Sequence, residues 1–253
     1  MWAYYKKEIN KMKTVKLGLQ VYAVREAFAE DPANTLKEIK KMGYECVEFT
    51  DIQNDERGVQ YYVDALKDAG LACVSIIVGL NDVMPDKIEK SVEVYKALGA
   101  KTVVIGSVNF KSIKENHENT RIELARLCYA YNALKAKGFN VMYHGHDGDV
   151  TNKYRGTAIY DYFFENTPDD FYMCIDTGNI WMGGGDPFAL LEKFPGRQPL
   201  AHIKGAGKEK GYTTPVWEAE IDFDKLLPMF AQNGGTDTFI IEFGARSDYD
   251  PME

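Results

Sequence analysis

The chain has 253 residues, 45% hydrophobic and 27% charged, which excludes wholesale disorder, a fibrous repeat and a small stapled scaffold, and leaves room for one large domain or two small ones. Thirty Lys and Arg stand against 38 Asp and Glu, a formal charge of −8, so binding that relies on neutralising phosphates is not expected and no nucleic-acid partner is foreseen. The longest apolar runs, such as residues 72–78 interrupted by Ser75, are too short to span a bilayer, and no membrane partner is foreseen either.

Residues 1–14 read as an N-terminal extension. Lys6, Lys7, Lys11 and Lys13 are followed by no continuous apolar run, so they form no secretory signal, and Met12 stands just before the first clear strand. From there, β-rich runs alternate with amphipathic helical patterns, the order of a parallel sheet. Strand one is expected at 15–22, followed by a helix at 34–42, strand two at 46–50, a helix at 58–69, strand three at 72–78, a helix at 86–98 and strand four at 102–106. A long helix at 119–137 leads to strand five at 140–144. Then come a helix at 157–166, strand six at 171–176, a helix at 187–194, strand seven at 200–204, a helix at 223–232 and strand eight at 238–243.

Gly43, Gly70, Gly99 and Gly138 each follow a helix directly, as a left-handed helix end requires. No Pro/Gly/Ser-rich linker divides the series, so residues 15–253 are expected to form a single domain, an α/β (β/α)8 TIM barrel. The competing open sheet lacks a glycine-rich dinucleotide turn after strand one, where Gly18, Leu19 and Gln20 run on into Val21 and Tyr22, and no phosphate-cradling Walker loop occurs. After strand eight only residues 244–253 remain. Asp250, Pro251, Met252 and Glu253 read as a cap, a first-turn proline and an acidic first turn. The eighth helix is therefore expected to be short or missing, and a homo-oligomer would cover the apolar strip left beside it. Cys46, Cys73, Cys128 and Cys174 lie apart within apolar stretches, like free thiols of a reducing cytoplasm.

Active sites of such barrels lie at the C-terminal ends of the strands. Strand five ends in His144, Gly145, His146, Asp147, Gly148 and Asp149; strand six delivers Asp176, strand seven His202 and Lys204, and strand eight Glu242. His144 and His146 are two apart on extended chain and can share a face. Alone, His202 would be a hydrogen-bonded core histidine, and His117 sits in a polar, solvated stretch. Unpaired buried carboxylates are costly, however, and Asp176 and Glu242 at neighbouring strand ends point to a shared metal. An Asp, a His, a Glu and one ligand from strand five suit Mn²⁺, Co²⁺, Mg²⁺ or Zn²⁺, with no thiolate to bias the choice because Cys174 lies one layer deeper.

Residues 17–25 with Tyr22 and Arg25, Gly43 and Tyr44 leading to Val47 and Glu48, the His144 and His146 pair, Asp176 with Thr177 and Gly178, His202 with Ile203 and Lys204, and Ile241 with Glu242 together resemble the sugar phosphate isomerase/epimerase family of xylose isomerase-like barrels. The resemblance runs from about residue 15 to the end. It implies a divalent metal held by strands five to eight, with Asp176, His202 and Glu242 on ligand positions. Two strand-five candidates remain: His144, where epimerases of the superfamily place a Glu, and Asp149, where relatives with a His-Asn-His motif place theirs. Gly145 stands in place of that Asn.

The expected reaction is metal-dependent isomerisation or epimerisation of a sugar or polyol ketone, by removal of a proton beside a metal-chelated carbonyl. His146 is the expected base, with Glu242 as the alternative, and Lys204 steadies a substrate hydroxyl or the oxyanion. Glu48 and Tyr22 are expected to bind substrate, as is Arg25 unless it braces the rim by pairing with Glu48. Trp181 and Trp217 offer indoles to a sugar face, and the long loop at 205–221 is expected to wall the site. A lyase or dehydratase acting on an inosose or 3-keto-sugar shares the first step, and a barrel that binds sugar without activity is a third reading. A DNA-repair endonuclease would need more than four His and a basic groove.

Overall fold

The computed structural model describes residues 15–244 apart from 51, 53 and 54. Among these, eight parallel strands form the central sheet: β1 (Lys16–Gln20), β2 (Cys46–Thr50), β3 (Ala72–Val78), β4 (Thr102–Ile105), β5 (Asn140–His144), β6 (Phe171–Cys174), β7 (Leu200–Ile203) and β8 (Thr238–Ile241). They pair in the order β6-β5-β4-β3-β2-β1-β8-β7, so each strand lies beside its neighbours in the chain. The ring closes between β6 and β7 with little ladder: a parallel bridge joins Asp176 to His202, the His202 N–H donates to Ile175 O at 3.0 Å, and the Met173 N–H donates to Arg197 O at 2.7 Å. Two of the expected site residues therefore sit on the seam of a TIM barrel.

Among the described residues, seven longer helices cover the outside: α1 (Pro32–Lys41), α2 (Val59–Ala69), α3 (Ile88–Ala97), α4 (Asn119–Ala136), α5 (Ile159–Glu165), α6 (Pro187–Lys193) and α7 (Phe223–Met229). Asp31, Asp186 and Asp222 cap α1, α6 and α7 by accepting backbone N–H bonds. At the other end of α2, Gly70 takes φ 69°, the left-handed conformation read from its place after the helix.

Side chains alternate along each strand between this helical layer and the barrel interior. The interior packs Cys46, Val104, Met142, Cys174, Leu200 and Ile240 together. It is tight: a Cβ on Gly18 would stand 2.6 Å from Ile240 Cδ1 and 2.8 Å from Cys46 Sγ. Two residues beyond five of these interior positions come Glu48, His144, Asp176, His202 and Glu242, which the strand period turns into the upper end of the barrel.

Strand one is shorter than expected. It ends at Gln20, and Val21–Val24 coil into a 3-10 turn that runs into a short helix, Arg25–Glu30. Short helices also follow β4, β5 and β6, at Phe110–Glu115, Asp147–Thr151 and Thr177–Met182. The last outer helix holds Pro228 within it, ends at Met229 and passes into a π turn at Phe230–Gly234. The extension at 1–14 and the start of an eighth helix at 250–253 lie outside the described residues.

Candidate metal centre

His144 is the last residue of β5, and His202 lies within β7; Asp176 stands two residues past the end of β6, and Glu242 follows β8 directly. One ligand-type atom from each lies within 4.8 Å of all the others, and all four residues are buried. His144 Nε2 is 3.0 Å from His202 Nδ1 and 3.5 Å from both Asp176 Oδ2 and Glu242 Oε2, while His202 Nδ1 is 2.8 Å from Glu242 Oε2. Atoms bound at about 2.1 Å to one ion stand about 3.0–3.5 Å apart, so the set fits a single small cation. Asp176 Oδ2 has no hydrogen-bond partner in this buried place, whereas its Oδ1 caps the following helix by accepting from Asn179 N at 2.7 Å. A buried acceptor without a donor is what a cation would satisfy.

Charge is balanced tightly around the cluster. Burial works to raise the Glu242 carboxyl, but His144, His202 and Lys204 outweigh it and hold it well below the usual carboxylate range. Lys204 is 6% exposed; its Nζ donates to Glu242 Oε1 at 2.8 Å and to Asn179 Oδ1 at 3.1 Å, and lies 5.0 Å from the Tyr212 ring centre. Burial opposes its charge, yet Asp176 and Glu242 keep its pKa raised. The His146 ring stands 4.6 Å from that of His144, with its buried Nδ1 unpartnered. Burial first, and then the charge of His144, pushes its pKa down to about 3, so it is a neutral acceptor at pH 7.

A cleft of about 440 Å³ opens above the cluster, in the range of small-molecule sites. His144, His146, Lys204 and Glu242 line its floor, with Asn179 beside them; Gln20, Tyr22, Thr50, Ile77, Val78 and Ser107 are among the residues of the opposite wall. Of the residues expected to bind substrate, Tyr22 reaches this cleft. Glu48 does not: it is fully buried behind His202, accepting from Gln20 Nε2 at 2.9 Å and from Ser75 Oγ at 2.7 Å. Nor does Arg25 pair with Glu48. Its guanidinium lies 4.7 Å from the Tyr22 ring centre and donates to Tyr22 O. Trp181 packs against the core, and Trp217 is 79% exposed; neither lines the cleft.

Asp149 is not brought into the cluster. Its Oδ1 accepts from the Tyr143 hydroxyl at 2.7 Å and its Oδ2 from the His146 N–H at 2.9 Å, which leaves His144 as the strand-five residue in place. Burial raises the Asp149 carboxyl to about 7. Gly145 is a packing requirement, since a Cβ there would meet Tyr160 Cζ at 2.8 Å. The loop after β7 folds back on itself, with Gly205 so close to Thr214 and Pro215 that any side chain would strike backbone, and it brings Tyr212 to Lys204.

Sequence reasoning missed Gln20, Ser75, Asn179 and Tyr212. The first two carried a signal, a polar residue at an interior-facing position of an otherwise apolar strand. Asn179 and Tyr212 are placed by a short helix and a loop whose paths no periodicity predicts.

Residues 36–253 match the family model described as xylose isomerase-like TIM barrel. The chain belongs to that family. Among solved structures, a sugar phosphate isomerase/epimerase of Parabacteroides distasonis superposes with a TM-score of 0.74 at 20% identity, covering 95% of this chain and 90% of that one. A structure of L-ribulose 3-epimerase gives 0.69 at 16% identity, with 94% and 90% covered. At such identities the likeness is one of fold. In sequence, 119 residues, 47% of this chain, are 28% identical to an inosose dehydratase of Clostridium perfringens, and the match covers 36% of that protein.

Proposed function

We propose that this barrel is a divalent-metal-dependent enzyme that moves a proton at the carbon beside the carbonyl of a sugar or polyol ketone, as an isomerase or epimerase. The observation that carries this reading is the set of four buried, mutually close donors at the floor of a cleft sized for a small polar molecule. A divalent cation held by His144, Asp176, His202 and Glu242 would act as a Lewis acid on the carbonyl and so acidify the neighbouring C–H. Two nitrogens and two carboxylates, without a thiolate, suit Mn²⁺, Co²⁺, Mg²⁺ or Zn²⁺.

The chain's own groups then handle the proton and the charge. His146 lines the cleft as a neutral ring and takes the proton. Lys204 holds Glu242 in place and offers its ammonium to the oxygen that becomes negative. Ile77 and Val78 give the sugar's carbon face an apolar wall, and Tyr22 borders the opening. The free, mostly buried cysteines accord with a cytoplasmic protein, and residues 15–253 with a single catalytic domain.

A second reading is elimination on an inosose or 3-keto-sugar, favoured by the sequence match to an inosose dehydratase. It shares the proton removal and differs in the group that leaves the next carbon. Incubation with Mn²⁺ in D2O, with ketoses, inososes and 3-keto-glycosides in turn, separates them. Deuterium beside the carbonyl with an epimer or aldose formed supports the first reading. Loss of water or aglycone without an epimer supports the second, and no exchange by Mn²⁺-loaded protein contradicts both.

A further inference from the structure

Strands β1, β2 and β3 contribute nothing to the ligand cluster, yet each sends one polar side chain to a buried group on the Nε2 side of His202. Gln20, Glu48 and Ser75 meet in the barrel interior, where Glu48 is 0% exposed. Gln20 Nε2 donates to Glu48 Oε1 at 2.9 Å and Ser75 Oγ donates to Glu48 Oε2 at 2.7 Å, so the carboxylate is fixed from both sides. Its remaining neighbour is His202, whose Nε2 lies 2.9 Å from Glu48 Oε1, a charge contact outside hydrogen-bond alignment. Nε2 has no hydrogen-bond partner among the described residues. On the opposite edge of the same ring, Nδ1 faces His144 and Glu242.

A neutral imidazole carries one hydrogen, and which nitrogen holds it decides which can ligate. A carboxylate is acceptor-only, so a ring with the hydrogen on Nδ1 would bring a bare, partly negative nitrogen to 2.9 Å from it where both residues are fully buried. With the hydrogen on Nε2 the contact is attractive, and the Nδ1 lone pair, whose ring nitrogen lies 2.8 Å from Glu242 Oε2, is left for the cation that the two groups would share. We infer that Glu48 is a positioning residue, held by Gln20 and Ser75, that keeps the hydrogen of His202 on Nε2 and so turns Nδ1 into the ligand. This is the relation of a carboxylate behind a metal-bound histidine, here assembled from three strands that bear no ligand. Glu48 thus acts on substrate through His202 and not by contact.

This inference rests on the four-residue metal site proposed above, though not on the identity of the reaction. The test uses the full chain loaded with Zn²⁺, which is diamagnetic, with ¹⁵N-labelled histidine. The wild-type spectrum is expected to show His202, assigned through a His202→Asn variant, protonated at Nε2 and metal-bound at Nδ1. Glu48→Gln is expected to weaken Zn²⁺ binding by about 10- to 100-fold, with its metal-free unfolding midpoint kept near that of the wild type. A wild-type spectrum with the hydrogen on Nδ1, or a Glu48→Gln protein that binds Zn²⁺ as the wild type does, overturns the inference. If Glu48→Gln does not fold, the wild-type spectrum decides alone. Failure of the wild type to bind Zn²⁺ overturns the inference together with the metal site. Zn²⁺ binding with the expected spectrum, but no turnover of any ketone, supports the inference and counts only against the proposed reaction.

Discussion

Asp149 shows how one residue identity can carry two opposite meanings. A carboxylate five residues past the end of β5 can reach a metal or be drawn beneath the strand end, and here it is 0% exposed with both oxygens accepting from Tyr143 and His146. Burial raises its pKa from 3.8 to about 7. Between these values the folded protein holds a proton that the unfolded chain has lost, so stability from this group is greatest below pH 3.8 and falls as pH rises, levelling off above 7. The gap is worth on the order of 4 kcal/mol. Urea unfolding at pH 5, 6, 7 and 8 should show this decline, and Asp149→Asn, which cannot ionise, should flatten it; equal slopes would contradict this account. The ligand cluster was more legible than Asp149. Cys46, Met142, Cys174, Leu200 and Ile240 face the barrel interior, and a polar residue stands two places beyond each. Strand period alone therefore turns Glu48, His144, Asp176, His202 and Glu242 inward. How deep each one sits is not legible, because depth depends on the stagger between strands, and the structure keeps Glu48, an expected substrate contact, out of the cleft.

Among the elements, the strands matched their sequence pattern most closely. The expected limits of β3 and β5 agree with Ala72–Val78 and Asn140–His144, because turn residues bound both runs. The short helices after β4, β5 and β6 escaped notice: five or six residues complete too few turns to display a helical period. Arg197 links α5 to β6 in a way no local pattern announces. Its guanidinium is buried against the Phe164 ring and donates to Phe164 O, Pro168 O and Phe171 O, each at 2.7 Å. An ammonium cannot span that fork. Arg197→Lys is expected to cost about 2–4 kcal/mol, measured by denaturant unfolding, with Zn²⁺ stoichiometry unchanged; a loss under 0.5 kcal/mol would show that the fork does little for stability.

At the scale of the molecule, the alternation of strands and helices announced the barrel, but the manner of its closure was not legible. The seam between β6 and β7 is held by few backbone bonds, and the proposed ligands Asp176 and His202 face each other across it. A cation bound there would fasten this edge of the ring and would favour the folded chain, which alone brings the four ligands together. Divalent metal at 100 times its Kd is accordingly expected to add about 2.7 kcal/mol of stability, reversed by chelator and absent in His202→Ala. Calorimetry with and without metal measures this, and an equal gain in the variant would place the binding elsewhere. The ordered set of strand-end residues brought the family into view, and the match over residues 36–253 bears it out.

These four side chains are proposed to hold one cation, with His144 as the strand-five ligand. The most direct test is anomalous diffraction from crystals of the full chain soaked in Mn²⁺. One peak about 2.0–2.3 Å from His144 Nε2, Asp176 Oδ2, His202 Nδ1 and Glu242 Oε2 is predicted. A peak bound by Asp149 in place of His144, or no peak at the strand ends, would contradict it.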